Sequence, residues 1–296
     1  MRPSKPHHTL QPRSRILTLA AIGFTSMTVL ISGCSTSAVN RVGKSTEVTY
    51  YPSCYQPVQH LRDTDSNLTR SVATGAVLGA VGGALTGALT ADKEDRKRNA
   101  AIGAAGGALV GGAAAYYTSK QQQISDDRQR ISAYSTDINT SASTFDRSIA
   151  YAEASQSCYQ KEFTNLLAQR KSGAVNETEG RKRLAEIIAG LNESNNLITA
   201  VNGKAGENLD NYTQAYEADL KNVGVERAEV IKVAKAPAKK ATKVPSEAIK
   251  TEQVLQQAEA KQAKSKQVAM AGNSQVNSMC NNPDMGDWAP IPCPNV

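Results

Sequence analysis

Between residues 124 and 222, apolar side chains return at every seventh position. Ile124, Ile131, Ile138, Phe145, Ala152, Tyr159 and Leu166 form one row, and Leu184, Leu191, Ile198, Ala205 and Tyr212 form another. A return of seven marks one seam of a helix packed lengthwise on another helix. The second seam of the first helix is poor: Tyr134, Ser141, Ser148 and Ser155 at one offset, Ser135, Ala142, Ile149, Gln156 and Phe163 at the other. A seam of that kind implies loose packing or a partner that supplies the missing surface. In the second helix Ile187, Ile188, Val201, Leu209 and Tyr216 fill neighbouring positions, while Gly203 and Gly206 are expected to bend or interrupt it. The run KSGAVNETEG (171–180) predicts a turn, and two helices with a short connection pack antiparallel. Residues 119–222 are therefore expected to form a long helical hairpin. Periodicity leaves open whether it stands as a rod or folds back as a compact bundle with what precedes it.

Residues 71–118 follow a different period. Gly75, Gly79, Gly83 and Gly87 recur every four residues, as do Gly103, Gly107 and Gly111, and the charged turn Asp92–Asn99 separates the two rows. Residues four apart share a helical face. Each interior glycine costs about 1 kcal/mol relative to alanine, so such a helix survives only where its flat stripe lets another helix approach closely. A helical hairpin packed through these seven glycines is the expectation. At about 1.5 Å per residue its arms, 71–91 and 100–117, have nearly the length that crosses a bilayer. They hold few large apolar residues, so a membrane hairpin and a hairpin packed in water both stand. Tyr116 and Tyr117 close the second arm where an interfacial aromatic belt would lie.

At the amino terminus Arg2, Lys5, Arg13 and Arg15 precede the apolar run 16–30 and then Ile31-Ser32-Gly33-Cys34. A basic head, a short apolar stretch and small residues at a cut site read as a secretory signal over 1–33. An uncleaved anchor is the other reading, and a poor one: 16–33 holds Thr18, Thr25, Ser26, Thr28 and Ser32. Loss of those four cations takes the formal charge of +7 to +3, which weakens any case for nucleic acid.

The Gly33-Cys34 step resembles the lipobox of bacterial lipoproteins. That resemblance implies a covalent lipid on Cys34, no other cofactor, and, with Ser35 following, delivery to the outer membrane of a Gram-negative envelope. Tandem glycine rows behind a lipobox resemble the glycine-zipper outer-membrane lipoproteins of the SlyB type, over the lipobox and residues 71–118 only. That family implies a role in envelope integrity without catalysis, with the anchored chain facing the periplasm or exposed at the surface. The long carboxy-terminal half departs from the short members, and no role located there carries over.

Four further cysteines remain: Cys54, Cys158, Cys280 and Cys293. An even number in an exported chain suggests two disulfides. Cys280 and Cys293 bracket a Pro-rich tail that a local bridge would staple, leaving Cys54 with Cys158; free or intermolecular thiols are the alternative. The expected layout is then a signal (1–33), a tether with Cys54 (34–70), the glycine hairpin (71–118), the long hairpin (119–222), a Lys/Ala/Pro linker (223–246), a weak and mostly exposed helix (247–272) and a Cys-bracketed tail (273–296). In the linker, Lys232, Lys235, Lys239, Lys240 and Lys243 either meet anionic headgroups or wall groups or are simply solvated. Trp288 either anchors a partner or packs its own loop.

The fold class is all-α, with a disordered linker and tail. Aromatics are only 5% of the chain. The histidines are His7, His8 and His60, with His60 read as a solvent-facing loop residue, and no phosphate loop, CxxC or serine elbow occurs. No catalytic residue and no metal site is expected. The partners expected are membrane lipid, further copies through the glycine rows, and a cell-wall or envelope protein, with no nucleic acid. Two functions stand: a structural envelope lipoprotein, or an accessory docking lipoprotein of a secretion, conjugation or efflux assembly.

Overall fold

The computed structural model describes residues 46–82, 112–235 and 243–288, with backbone alone over 70–82. The described residues are helical throughout: α1 (Pro52–Gly82), α2 (Gly112–Gln123), α3 (Asp127–Ser172), α4 (Glu177–Asn222), α5 (Arg227–Lys235), α6 (Ser246–Cys280) and a closing 3₁₀ turn (Pro283–Trp288). The all-α class stands. The signal and Cys34, the charged turn of the glycine hairpin, Lys239, Lys240 and Cys293 lie outside the described residues.

α3 and α4 are the predicted long hairpin, about 69 Å long at 1.5 Å per residue. Its ends are chemically marked. Asp126 caps α3 by accepting from the Gln129 N–H at 2.8 Å, and Asn176 caps α4 by accepting from Glu179 at 2.9 Å. Between them Gly173 takes φ +69, and its N–H and that of Ala174 reach back to the Arg170 and Gln169 carbonyls. The turn is thus tighter than 171–180, and Ile124 falls in the link before α3 rather than on it. From Ile131 to Leu166 the remaining members of the row are buried.

The poor second seam has its explanation in α6. The segment expected to be a weak, exposed helix runs 35 residues and lies parallel to α3, packed on both α3 and α4. Thr251 donates to the Ile131 carbonyl at 2.8 Å, Lys261 pairs with Asp146, and Gln156 donates to the Val268 carbonyl at 3.0 Å. Ser141, Ser148 and Ser155 are buried, with Ser155 donating to Ser194 of α4 at 2.7 Å. Small residues on α6 (Ala248, Ala258, Ser265, Ala269, Gly272) allow close approach, while Leu255, Val268, Val276 and Met279 fill the gaps. Large apolar residues are few here because small ones do the packing.

Gly203 and Gly206 do not interrupt α4, which is continuous. Gly206 lies under Gln262 of α6, so the glycine admits a neighbour instead of breaking the helix. α1 covers α3 and α4 along one side, running parallel to α4. The stretch read as a tether is therefore helical from Pro52 onward, and His60 sits on that helix, exposed and stacked on Tyr151 with ring centroids 4.9 Å apart. The linker is also not extended from 223: α5 forms and buries Val230. Trp288 packs its own loop, buried over Gly180 with the Arg170 guanidinium 5.1 Å from its ring. The looped tail thus begins after Cys280, because α6 extends to that residue.

Candidate functional site

α4 presents glutamates seven apart: Glu179, Glu186 and Glu193. All three point at the segment leading into α1. Glu186 accepts the N–H groups of Thr49 (2.9 Å), Tyr50 (2.8 Å) and Tyr51 (2.8 Å). These donors belong to the three residues just before α1, so one carboxylate satisfies the backbone of the chain leading into the helix. Glu193 accepts from the Thr46 N–H at 2.6 Å and its hydroxyl at 2.7 Å, from the Tyr55 hydroxyl at 3.0 Å, and from Arg62 at 2.5 Å. Burial works against the Arg62 cation, but the Glu193 hydrogen bond and charge outweigh it and hold it charged. Glu179 accepts from the Tyr50 hydroxyl at 3.1 Å, and the Arg183 guanidinium lies 5.4 Å from the Tyr50 ring. Desolvation pushes the Tyr51 hydroxyl up to about 12.

A disulfide finishes this clamp. Cys54 and Cys158 are bonded, with Cα atoms 5.3 Å apart, and tie the first turn of α1 to the middle of α3. Cys280 is also disulfide-bonded; Cys293, its expected partner, lies outside the described residues.

At the other end of the rod a second polar cluster holds α2. Asp219 of α4, fully buried, accepts from Arg130 Nε at 2.9 Å, the Tyr134 hydroxyl at 2.7 Å and Gln121 of α2 at 2.9 Å. Asn222 donates to the Tyr117 hydroxyl at 3.1 Å. Tyr116 hydrogen-bonds Asp137, which also pairs with Lys120. Burial, then Asp137, drives the Tyr116 hydroxyl far above its ordinary range, and burial with Asp219 does so for Tyr134. The interfacial belt expected of Tyr116 and Tyr117 is therefore absent: both side chains are committed to the bundle, Tyr117 wholly buried and Tyr116 against Tyr212 and Tyr134. Asp126 and Asp127 act here too, as the α3 cap and as a partner of Arg130.

Of the glycines singled out, Gly75 and Gly79 lie in α1; Gly83, Gly87, Gly103, Gly107 and Gly111 lie outside the described residues. α1 and α2, the flanks of the glycine segment, lie against each other at the end of the bundle where α4 finishes. Sequence reasoning missed Glu179, Glu186, Glu193, Arg130 and Asp219. The glutamates had a signal in their spacing of seven; the buried pair had none. Among the described residues, no group of three His, Cys, Asp or Glu is placed to hold a metal ion, and no helix is long and apolar enough to cross a membrane.

A single-chain bundle of long helices, in which the helices flanking a glycine-rich segment meet at one end, is the class that this geometry defines. Residues 73–122 match the glycine zipper family of the outer-membrane-protein type, about a sixth of the chain. Over that segment the chain is similar to glycine-zipper proteins of the outer-membrane-protein type. No curated protein and no solved structure matches the chain.

Proposed function

We propose that this is a non-enzymatic envelope lipoprotein, anchored through lipid on Cys34, whose bundle holds the anchor segment and the glycine segment in a fixed relation and so supports outer-membrane integrity. The observation that carries the reading is the double clamp. The chain just after the anchor is held by Glu186, Glu193 and the Cys54–Cys158 bond, and the return from the glycine segment is held by Asp219 and Asn222. A passive tether would need neither. Further copies associate through the glycine rows, and no cofactor beyond the lipid takes part.

Membrane fractionation of the full chain tests this. The wild type stays with the outer-membrane fraction after high-salt and carbonate washes. Cys34→Ala weakens retention, and adding Gly79→Leu, Gly83→Leu and Gly107→Leu releases the remainder. Unchanged retention of the combined variant refutes the reading.

A further inference from the structure

The end of the bundle from which the glycine segment departs carries a feature that neither clamp uses. The start of α3, the end of α4 and the start of α6 come together there: Tyr216 donates to the Ala248 carbonyl at 3.0 Å and Thr251 to the Ile131 carbonyl at 2.8 Å. α5 folds onto the same place, with Arg227 reaching Glu217, Glu252 and Glu259 at 3.0 to 3.1 Å. Glu252 is fully buried, so this clip fixes α5 rather than merely touching it. Between 232 and 250 the sequence places Lys232, Lys235, Lys239, Lys240, Lys243 and Lys250 against a single acid, Glu247. Lys232, Lys235, Lys243 and Lys250 are exposed, while Val230, Val244 and Ala248 beneath them are buried.

These lysines, like Lys182 and Lys266 elsewhere on the bundle, have no carboxylate partner among the described residues, and what sets them apart is their density in one short stretch. At the hairpin tip Arg170, Lys171, Arg181 and Arg183 all pair with carboxylates, and along the rod Lys204, Lys261 and Lys264 do the same. Among the described residues none of the four exposed lysines takes part in a salt bridge. Glu247 keeps its charge through its own backbone N–H, Ser246, and the nearby Arg128 and Lys250. Glu226, just before α5, and Glu229, in its first turn, reduce the field of the strip without cancelling it.

We propose that this end is a docking surface for an anionic phospholipid layer, with the lysine strip on the headgroups beside the point where the glycine segment leaves the bundle. The inference rests on the membrane role proposed above. Lysines near an anionic surface each add to binding, and the effect fades within a Debye length. Four on one rigid end, beside a membrane-seeking segment, act together, since that segment holds them at high effective concentration.

Two full-length variants of equal charge test it: K232Q/K235Q/K243Q/K250Q, and K171Q/K182Q/K264Q/K266Q away from this end. In low salt the first is expected to bind phosphatidylglycerol-containing vesicles at least about tenfold more weakly, and the second nearly as well as wild type. Both should bind phosphatidylcholine vesicles equally. Equal losses in the two variants, or none in the first, would overturn the proposal. So would loss of binding to isolated wall sacculi with vesicle binding intact, which would give the strip to the wall. If the wild type binds neither vesicle type, the membrane role itself fails; if it binds both types equally, only the strip does.

Discussion

The guanidinium of Arg130 and the carboxylate of Asp219 meet inside the bundle, Nε to Oδ2 at 2.9 Å, with Arg130 1% and Asp219 0% exposed. Both charges have left water, so removal of one strands the other. Asp219→Ala is expected to cost about 3–5 kcal/mol, because it leaves Arg130 buried with only Asp127 and the Ile124 carbonyl. Arg130→Met with Asp219→Leu should cost less than the single change. Urea unfolding of the wild type and the two variants checks this; a double variant less stable than Asp219→Ala would contradict it.

The anchor clamp has two independent parts. Glu186→Ala removes the acceptor of three N–H groups and should cost about 1–3 kcal/mol. Its effect should be local, with faster hydrogen exchange over 46–60 and none at the Gly173 turn. Reduction of Cys54–Cys158 opens a loop of 104 residues, worth about 4–5 kcal/mol in the chain-entropy view. Reductant should therefore lower the thermal midpoint of the wild type more than that of Cys54→Ser/Cys158→Ser, which keeps the Cys280 bond.

The long hairpin was legible because Ile131, Ile138, Phe145 and their successors repeat at seven, and large apolar groups on one face have few other uses. α6 was not, since Ala258, Ser265 and Gly272 contribute by being small, and a small residue looks the same on a buried face as on a solvated one. Arg130 and Asp219 are 89 residues apart and take their meaning only from the antiparallel docking of α3 and α4. Glu179, Glu186 and Glu193 look like a solvated stripe until the chain before α1 is laid across them.

Glycines within α4 should respond with opposite signs. A Cβ on Gly190 would run into the ring of Tyr159, which is fully buried and cannot retreat. Gly190→Ala should therefore cost about 1–3 kcal/mol through overpacking. Gly203 has nothing within 4 Å of that position and lies in mid-helix. Gly203→Ala should stabilise by about 1 kcal/mol. Paired thermal melts decide it.

Alkaline pH should unfold the protein through its tyrosines. Burial raises the hydroxyls of Tyr134, Tyr159 and Tyr216 above the ordinary 10, and all three are fully buried by area. Above pH 10 the unfolded chain gives up these protons and the folded chain keeps them, so the unfolded state binds fewer and stability falls as pH rises. The stabilisation is complete below pH 10. Above it each such tyrosine removes about 1.4 kcal/mol per pH unit. Urea midpoints flat from pH 8 to 9.5 and falling steeply by pH 11 are expected, and Tyr134→Phe should flatten the fall.

Docking of α2 limits how deep the glycine segment can reach. α1 is described to Gly82 and α2 begins at Gly112, leaving roughly 29 residues between them. Even if all were helical, the stretch from Ala100 to Gly111, which precedes the docked α2, would cover about 18 Å, against a hydrocarbon thickness near 30 Å. The turn Asp92–Asn99 carries six charged side chains besides Asp92 itself, and would be stranded inside the bilayer at that depth. A spanning hairpin therefore requires α2 to leave Asp219 and Asn222. In proteoliposomes with the bundle outside, Asp95→Cys should react with an impermeant maleimide added outside. When Gln121→Ala and Tyr117→Ala loosen α2, reactivity should shift toward reagent trapped in the lumen. Lumenal labelling of the Asp95→Cys protein with α2 otherwise intact would mean that the membrane alone pulls α2 from the bundle.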